Sequence, residues 1–455
     1  MRTSSLLVTF GLVLISTPLI RPEAAAVAPS ASAGSSTAAS SHVAADCGGE
    51  PCDAVVRGLV AFFDRKLEGL DGNGRACADC HMATDNFQLS PASVEARFQQ
   101  LQWRLRWNPD ADDPLFRPID ADDFRTNGED ASDFTNLRVN GLVRIVFPLP
   151  PNVRLVDPTT NLPSAQASVD LWRSVPSIEN VALTGPGLTN PWFREPNAFG
   201  GYQLDARVAT LQEQALGAFV NHAQVQQPPS QRMLDDLSSF ERNVFTRPHV
   251  RDLADAIRMG SPILPDPDPP LTALQQQGKA VFERACTQCH GGADQTSAQT
   301  PVPHFQDIRT QCPRPVDSVS PARFVFPPCP DRLTRNARTY EISLPGGGTT
   351  RRTSSDPGRA LLTGFIGGPA PLDDWNKLDV PQLRGISKTA PYFHNNSATT
   401  LEDVIDHYMA FFTQLRVLTA PGAPPPPPTT TDGVHFDRAP LPEERRALLA
   451  YLRKL

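Results

Sequence analysis

The chain has 455 residues, a formal net charge of −7 and 7% aromatic residues. That length exceeds one small module and suits two domains with insertions. The mixed-sign, slightly acidic balance excludes a strongly basic nucleic-acid surface and a polybasic membrane anchor, and leaves room for a local patch that meets a protein partner.

With 47 prolines, the expected fold class is all-α: helices joined by long Pro-rich loops rather than a large sheet, because proline withholds a ladder donor. In chain order, Met1-Arg2, the apolar run from Leu6 to Ile20 and the Ala-rich residues after Glu23 read as an export signal over 1–26. The mature protein is therefore expected to be periplasmic or secreted, with no further stretch able to span a membrane. Residues 27–46 lack a hydrophobic period and read as a disordered linker.

Val55, Val56, Leu59, Val60, Phe63 and Leu67 recur at helical spacing, and the helix they predict runs out at Gly69-Leu70-Asp71-Gly72. The segment Cys77-Ala78-Asp79-Cys80-His81 follows. Leu234, Leu237, Phe240 and Val244 predict the helix that closes this half, placed at 47–262. Five of the nine residues from Pro262 to Pro270 are proline, so 263–270 reads as a linker. The second half, 271–455, repeats the plan. Leu271, Leu274, Val281 and Phe282 predict a helix that leads into Cys286-Thr287-Gln288-Cys289-His290, and Leu448, Leu449 and Leu452 predict a closing helix. Residues 295–355 and the run Pro424 to Pro428 read as inserted loops.

Cys-x-x-Cys-His is the spacing for covalent attachment of a c-type haem, with two thioethers holding the porphyrin and the adjacent histidine as proximal iron ligand. Two copies predict two covalently bound haem c groups, on Cys77, Cys80 and His81 and on Cys286, Cys289 and His290. A zinc site or a disulfide in each motif is the other use of such cysteines, and neither explains the adjoining histidine twice. The remaining cysteines, Cys47, Cys52, Cys312 and Cys329, suit two local disulfides in an oxidising compartment, with free thiols the alternative.

Met82 adjoins His81 and cannot reach the opposite haem face, which leaves Met233, Met259 and Met409 as methionine candidates for a sixth ligand. Thr400 can cap a helix with Asp403 three residues on. On that helix Leu401, Val404, Ile405, Tyr408 and Phe412 share a face, with Tyr408 near the middle of the stripe, Met409 on its flank and His407 turned away. Periodicity alone reads Tyr408 as a core residue.

The blocks Lys388-Thr389-Ala390-Pro391-Tyr392-Phe393-His394-Asn395-Asn396-Ser397 and Thr400-Leu401-Glu402-Asp403-Val404 resemble a segment shared by bacterial di-haem cytochrome c peroxidases and MauG. Asp356-Pro357-Gly358-Arg359-Ala360-Leu361, Asp379-Val380-Pro381-Gln382-Leu383-Arg384-Gly385, Val175-Pro176-Ser177-Ile178-Glu179-Asn180-Val181 and Thr210-Leu211-Gln212-Glu213-Gln214-Ala215 resemble further family blocks, in order. The resemblance implies two tandem cytochrome c-type domains with a calcium ion between them, held by Asn180 with the backbone oxygens of Thr389 and Pro391. It implies Tyr408 as sixth ligand of the second haem, because the family carries methionine or tyrosine fourteen residues after the histidine matched by His394. Met409 is the rival, and His394 becomes a haem-contacting residue.

Two departures stand out. The position of the family's distal glutamate, ten residues after Gln214, holds Gln224, which cannot take a proton, and His222 is the nearby group that could. Gln214, His222 and Gln224 are thus the catalytic candidates. Where the family often has Trp-Asp-Gly-Arg, this chain has Leu204-Asp205-Ala206-Arg207, with Trp192 and Tyr202 the aromatics that could substitute.

The expected activity is that of a di-haem oxidoreductase which meets hydrogen peroxide at the His81 haem and relays electrons through the His290 haem from a small redox protein or an organic donor. A dioxygen-using oxygenase similar to the rubber oxygenases, and electron transfer without catalysis, are the alternatives; a homodimer is open.

Overall fold

The computed structural model describes residues 46–117, 134–185, 201–266, 268, 270–292, 305–314, 326–368, 373–414 and 440–455. The expected export signal at 1–26, the expected linker at 27–46 apart from Asp46, Trp192 and the run Pro424 to Pro428 lie outside the described residues.

In the first half a short antiparallel pair, β1 (Asp46–Cys47) and β2 (Glu50–Pro51), precedes α1 (Cys52–Phe63), α2 (Pro91–Leu105) and α3 (Thr135–Asn140). Strands β3 (Leu142–Pro148), β4 (Val153–Leu155) and β5 (Ser168–Ser174) come next, then α4 (Leu211–Asn221), α5 (Gln231–Glu241) and α6 (Pro248–Arg258). The second half holds α7 (Ala273–Ala285), β6 (Phe305–Gln306), α8 (Asp331–Thr334), β7 (Arg338–Ser343), β8 (Thr349–Ser354), α9 (Ala360–Thr363), β9 (Leu378–Asp379), α10 (Leu401–Gln414) and α11 (Arg445–Leu452).

The expectation of an all-α fold is wrong: the chain is mixed α/β, with antiparallel sheets β3–β5, β4–β7–β8 and β6–β9 beside the helices. The prolines that argued against a sheet sit at strand ends and in turns, as at Pro148, Pro150 and Pro151, where no ladder donor is lost. Within the strands the residues alternate. In β7, Tyr340 and Ile342 are buried while their neighbours are partly exposed, and Gly346-Gly347-Gly348 makes the turn into β8 with positive φ at Gly347 and Gly348. The span 295–355, expected to be loop, therefore holds a hairpin.

Strand β4 pairs with β7, Leu155 opposite Tyr340, so the sheet joins segments from both sides of the expected linker. Its core is one cluster of Phe147, Leu155, Val169, Leu171, Tyr340, Ile342 and Leu361. Nor is the linker a bare tether, because Asp268 takes Arg384 at 3.2 Å and Lys279 at 3.4 Å.

The two motif-bearing halves repeat one helix crossing. On α1 the buried residues are Ala54, Gly58 and Phe62, while Val56, Val60 and Phe63 of the predicted stripe are exposed. The small side of the helix faces inward because α5 lies against it: a Cβ on Gly58 would stand 1.9 Å from the Asp236 carbonyl oxygen and 2.8 Å from Phe240 Cβ. On α7, a Cβ on Gly278 would stand 1.9 Å from the Ala447 carbonyl oxygen and 2.8 Å from Tyr451 Cβ. The phenylalanine four residues on meets the same partner each time, Phe62 on Phe240 at 5.1 Å and Phe282 on Tyr451 at 5.5 Å between ring centroids.

Backbone carbonyls cannot retreat as a flexible side chain does. Gly58→Ala and Gly278→Ala are each expected to destabilise the holoprotein by about 1–3 kcal/mol in denaturant unfolding. Gly217→Ala in α4, where the nearest atom is 4.0 Å away, is expected to be neutral or to stabilise by up to about 1 kcal/mol.

Candidate functional site

After α1 the chain turns back through positive φ at Leu67, Gly69 and Asp71, and Asn73 N–H donates to Ala223 O at 2.8 Å. Cys77 to Asp79 then form a tight helical turn. Its Asp79 carboxylate is buried and accepts from Ala76 N at 2.9 Å, and from Arg97 and Arg65 at 2.5 Å each. Burial alone would raise the Asp79 pKa; Arg65, the Ala76 amide and Arg97 outweigh it and hold the carboxyl below the usual range. The middle of the first motif is thereby locked as an anion among cations.

His81 N–H donates to Cys77 O at 2.9 Å, and His81 Nδ1–H donates to Phe87 O at 3.0 Å. A carbonyl can only accept, so Nδ1 carries the proton, and the Pro176 carbonyl is a second backbone acceptor at the same ring. Burial lowers the His81 pKa, which keeps the ring neutral. The second motif follows α7 directly and has the same geometry: His290 N–H donates to Cys286 O at 2.8 Å, and His290 Nδ1–H to Pro381 O at 3.1 Å.

The disulfides among the described residues are Cys47–Cys52 and Cys312–Cys329, as expected, and the four motif cysteines remain thiols. Burial pushes the Cys77 and Cys286 thiols up to about 12. No cluster of three or more His, Cys, Asp or Glu occurs among the described residues to complete a zinc site.

A cavity of about 430 Å³ opens beside the second motif, lined by Cys286, Cys289, His290, Tyr408, Met409, His394 and, from α11, Leu448 and Leu452. Cysteines and an imidazole in a lining otherwise rich in apolar and aromatic groups suit a flat apolar macrocycle. Thr400 and Asp403 make the expected capping box of α10, Asp403 N–H donating to Thr400 Oγ1 at 3.1 Å and Thr400 N–H to Asp403 Oδ2 at 2.9 Å. Tyr408 is half-buried, its hydroxyl has no hydrogen-bond partner among the described residues, and burial with the nearby Cys289 and Cys286 raises its pKa. Met409 is buried in the helix core and lines the cavity as well.

His394 lines the cavity, with its Nδ1 bonded to Thr310 Oγ1 at 3.2 Å and its buried Nε2 without a partner among the described residues. Burial pushes its pKa down to about 4, so it is neutral at pH 7. His407 is buried with Nε2–H on Ile308 O at 2.7 Å.

Of the catalytic candidates of the first half, His222 and Gln224 share a partner, Asn73, whose Nδ2 also donates to His222 O at 2.9 Å. Gln224 is exposed, has φ 50°, and its Oε1 accepts from Asn73 at 3.2 Å. Gln214 is half-buried on α4. His222 caps the end of α4 and lies near enough to His81 for its charge to bear on that ring. Met259 is 69% exposed, which removes it as an internal ligand.

The calcium residues do not fit the ion as arranged. Asn180 Oδ1 accepts from Thr246 N at 3.0 Å and Thr246 Oγ1 at 3.2 Å, and Asn180 Nδ2 donates to Arg384 O at 3.0 Å, so its amide is fully used. Thr389 and Pro391 line the cavity instead.

Hydrogen bonds couple the two motif regions. Just after His81, Asn86 Nδ2 donates to Lys388 O and Gln88 Nε2 to Ala390 O, at 2.9 and 2.8 Å.

The chain is similar to a cytochrome-c peroxidase over part of its length. It is 29% identical to Cytochrome-c peroxidase IdrP2 of Denitromonas iodatirespirans over 143 residues, which cover 30% of this chain and 32% of that protein's length. Among solved structures, a MauG-like protein associated with microbial copper homeostasis aligns over 89% of this chain and 88% of its own, at 18% identity and a TM-score of 0.39. The diheme peroxidase BthA from Burkholderia thailandensis E264 aligns over 89% and 86%, at 17% identity and a TM-score of 0.37. No protein-family model matches the chain.

The open Tyr408 hydroxyl gives a direct test. In the haem-loaded protein, Tyr408→Phe is expected to turn the His290 haem from low-spin to high-spin; a spectrum moved by Met409→Leu and untouched by Tyr408→Phe would assign the thioether instead.

Proposed function

We propose that the chain is a periplasmic di-haem oxidoreductase of the cytochrome c peroxidase and MauG type. Its two haems are attached through Cys77 and Cys80 and through Cys286 and Cys289. Hydrogen peroxide reacts at the His81 haem, and electrons reach it through the His290 haem from a small redox protein or an organic donor. The carrying observation is the repeated motif in which the imidazole is pinned through Nδ1–H to a backbone carbonyl, at Phe87 and again at Pro381. The match to a cytochrome c peroxidase supports the oxidant, over the third of that relative which it spans.

The haem supplies redox chemistry at iron when bound. The residues around it hold and tune it. The Phe87 and Pro381 carbonyls fix each ring orientation and raise its basicity toward a metal. The Asp79 ion pairs keep the first motif rigid, and Tyr408 or Met409 closes the far side of the second. At the first haem, His222 is the group placed to move a proton, because Gln224 is turned to Asn73 at the surface and has no titratable proton. The same loss of a carboxylate at that position favours dioxygen as the alternative oxidant. No helix among the described residues is long and apolar enough to cross a membrane.

Rapid mixing of the ferric holoprotein with stoichiometric hydrogen peroxide, followed in the Soret and near-infrared bands, tests the reading. A spectral change within seconds is expected. His81→Ala should abolish it and leave the second haem's spectrum in place, whereas an inert wild type would leave dioxygen chemistry or electron transfer alone.

A further inference from the structure

The helix crossing repeated in the two halves sets up a comparison of the pockets residue by residue. Gly58 meets Phe240 as Gly278 meets Tyr451, so Leu237 corresponds to Leu448 and Glu241 to Leu452. Leu448 and Leu452 both line the cavity beside Cys286 and Cys289. The corresponding face of α5 therefore looks toward the first motif, and it carries a carboxylate where the second half has a leucine.

Glu241 is only 5% exposed. Among the described residues its carboxylate has no hydrogen bond and no ion pair, although Arg242 follows it in sequence and is itself engaged by Glu50 at 2.7 Å. The charged and titratable groups around it are few. Cys77, a thioether anchor rather than an iron ligand, and Tyr202, from the loop before Asp205, both feel its charge. On the α1–α5 crossing Arg57 and Asp236 are paired to each other at 2.7 Å, and on α4 Glu213 is held in the helix cap by Thr210. A buried carboxylate left unpaired is costly in its charged form, so the group needs a reason to be there.

We propose that Glu241 is the proton store of the His81 haem, taking up one proton when that haem gains one electron. The inference rests on the proposed haem attachment at Cys77 and Cys80. The electron comes from an external one-electron reductant and reduces the iron from ferric to ferrous; the proton comes from solvent and converts the Glu241 carboxylate to the acid, with no bond made or broken elsewhere. Reduction removes a positive charge beside an anion, which makes the anion easier to protonate. Burial, only partly opposed by Arg242, already pushes the Glu241 pKa up to about 8, which puts the exchange within the working range. Leu452 cannot do this, so the coupling belongs to the first haem alone.

The test is spectroelectrochemical titration of the two-haem protein between pH 6 and pH 9, with each haem followed at its own bands. The His81 haem's midpoint potential is expected to fall as pH rises, toward the limit of about 59 mV per pH unit for one proton per electron, with the His290 haem much flatter. Glu241→Gln, which keeps the shape, and Glu241→Leu, which copies the second half, should both flatten the His81 haem and raise its potential at high pH. A His81 haem whose potential is independent of pH in the wild type, or whose slope survives both variants, overturns the proposal. Because the readout needs no peroxide, a protein inert to peroxide but showing the Glu241-dependent slope would defeat the peroxidase reading and leave this one standing.

Discussion

One buried cation decides how the segments of this chain come together. Arg173 is 1% exposed, and its guanidinium donates to Asp356 through Nε at 2.7 Å and a second nitrogen at 2.9 Å, and to Asp205 at 2.5 Å. Arg207 shares Asp205 at 2.9 Å, and both arginines stack over Phe147. Burial alone would raise the Asp356 pKa, but Arg173 outweighs it and holds the carboxyl below its ordinary value. A guanidinium removed from water needs all of these partners, and losing one leaves an uncompensated buried charge costing about 3–5 kcal/mol. The partners come from a strand of the first half, the loop before α4 and the turn after β8. The next residue, Ser174, donates from its backbone N–H to His394 O at 2.6 Å. The ion network thus fixes the loop that forms one wall of the cavity beside Cys286.

Much of the site was legible because its signals are local. Cys-x-x-Cys-His marks five consecutive positions that fold alike in both halves, and the Thr400 and Asp403 cap is a four-residue pattern. The sheets were missed because proline was weighed as a total for the chain, when its meaning is positional: Leu142-Val143-Arg144-Ile145-Val146-Phe147 carries no proline and is rich in β-branched residues. The α1 stripe misled for a related reason. Periodicity marks where apolar residues lie, but the buried face of a close helix crossing is chosen by the smallest residue, and Gly58 carries no hydropathy signal.

The partners of the two motif imidazoles were beyond reach of the sequence, since Phe87 and Pro381 contribute carbonyls that any residue has. Gln224 was reached by counting from Gln214, and its left-handed backbone turns the side chain out to Asn73, a matter of φ rather than of residue type. Glu241 sits in Leu-Asp-Asp-Leu-Ser-Ser-Phe-Glu, which reads as an acidic solvated face. The sequence did contain a usable signal: aligning the halves on Gly58 and Gly278, and their closing helices on Phe240 and Tyr451, sets Glu241 against Leu452.

That alignment bears on how a duplicated scaffold divides labour. Both halves keep the glycine crossing, the aromatic pair and the pinned imidazole, so the proximal side of each site is built alike. Differences fall on what faces the pocket from elsewhere. The second site is lined by Tyr408, Met409 and leucines, groups that carry no charge. The first has a buried carboxylate and a nearby histidine, groups whose protonation changes with the charge beside them. On the proposed reading, a site that only passes electrons gains from the first kind of wall. A site that must also deliver protons to a reduced oxygen species requires the second, and a leucine-to-glutamate difference at one helix position is enough to separate them.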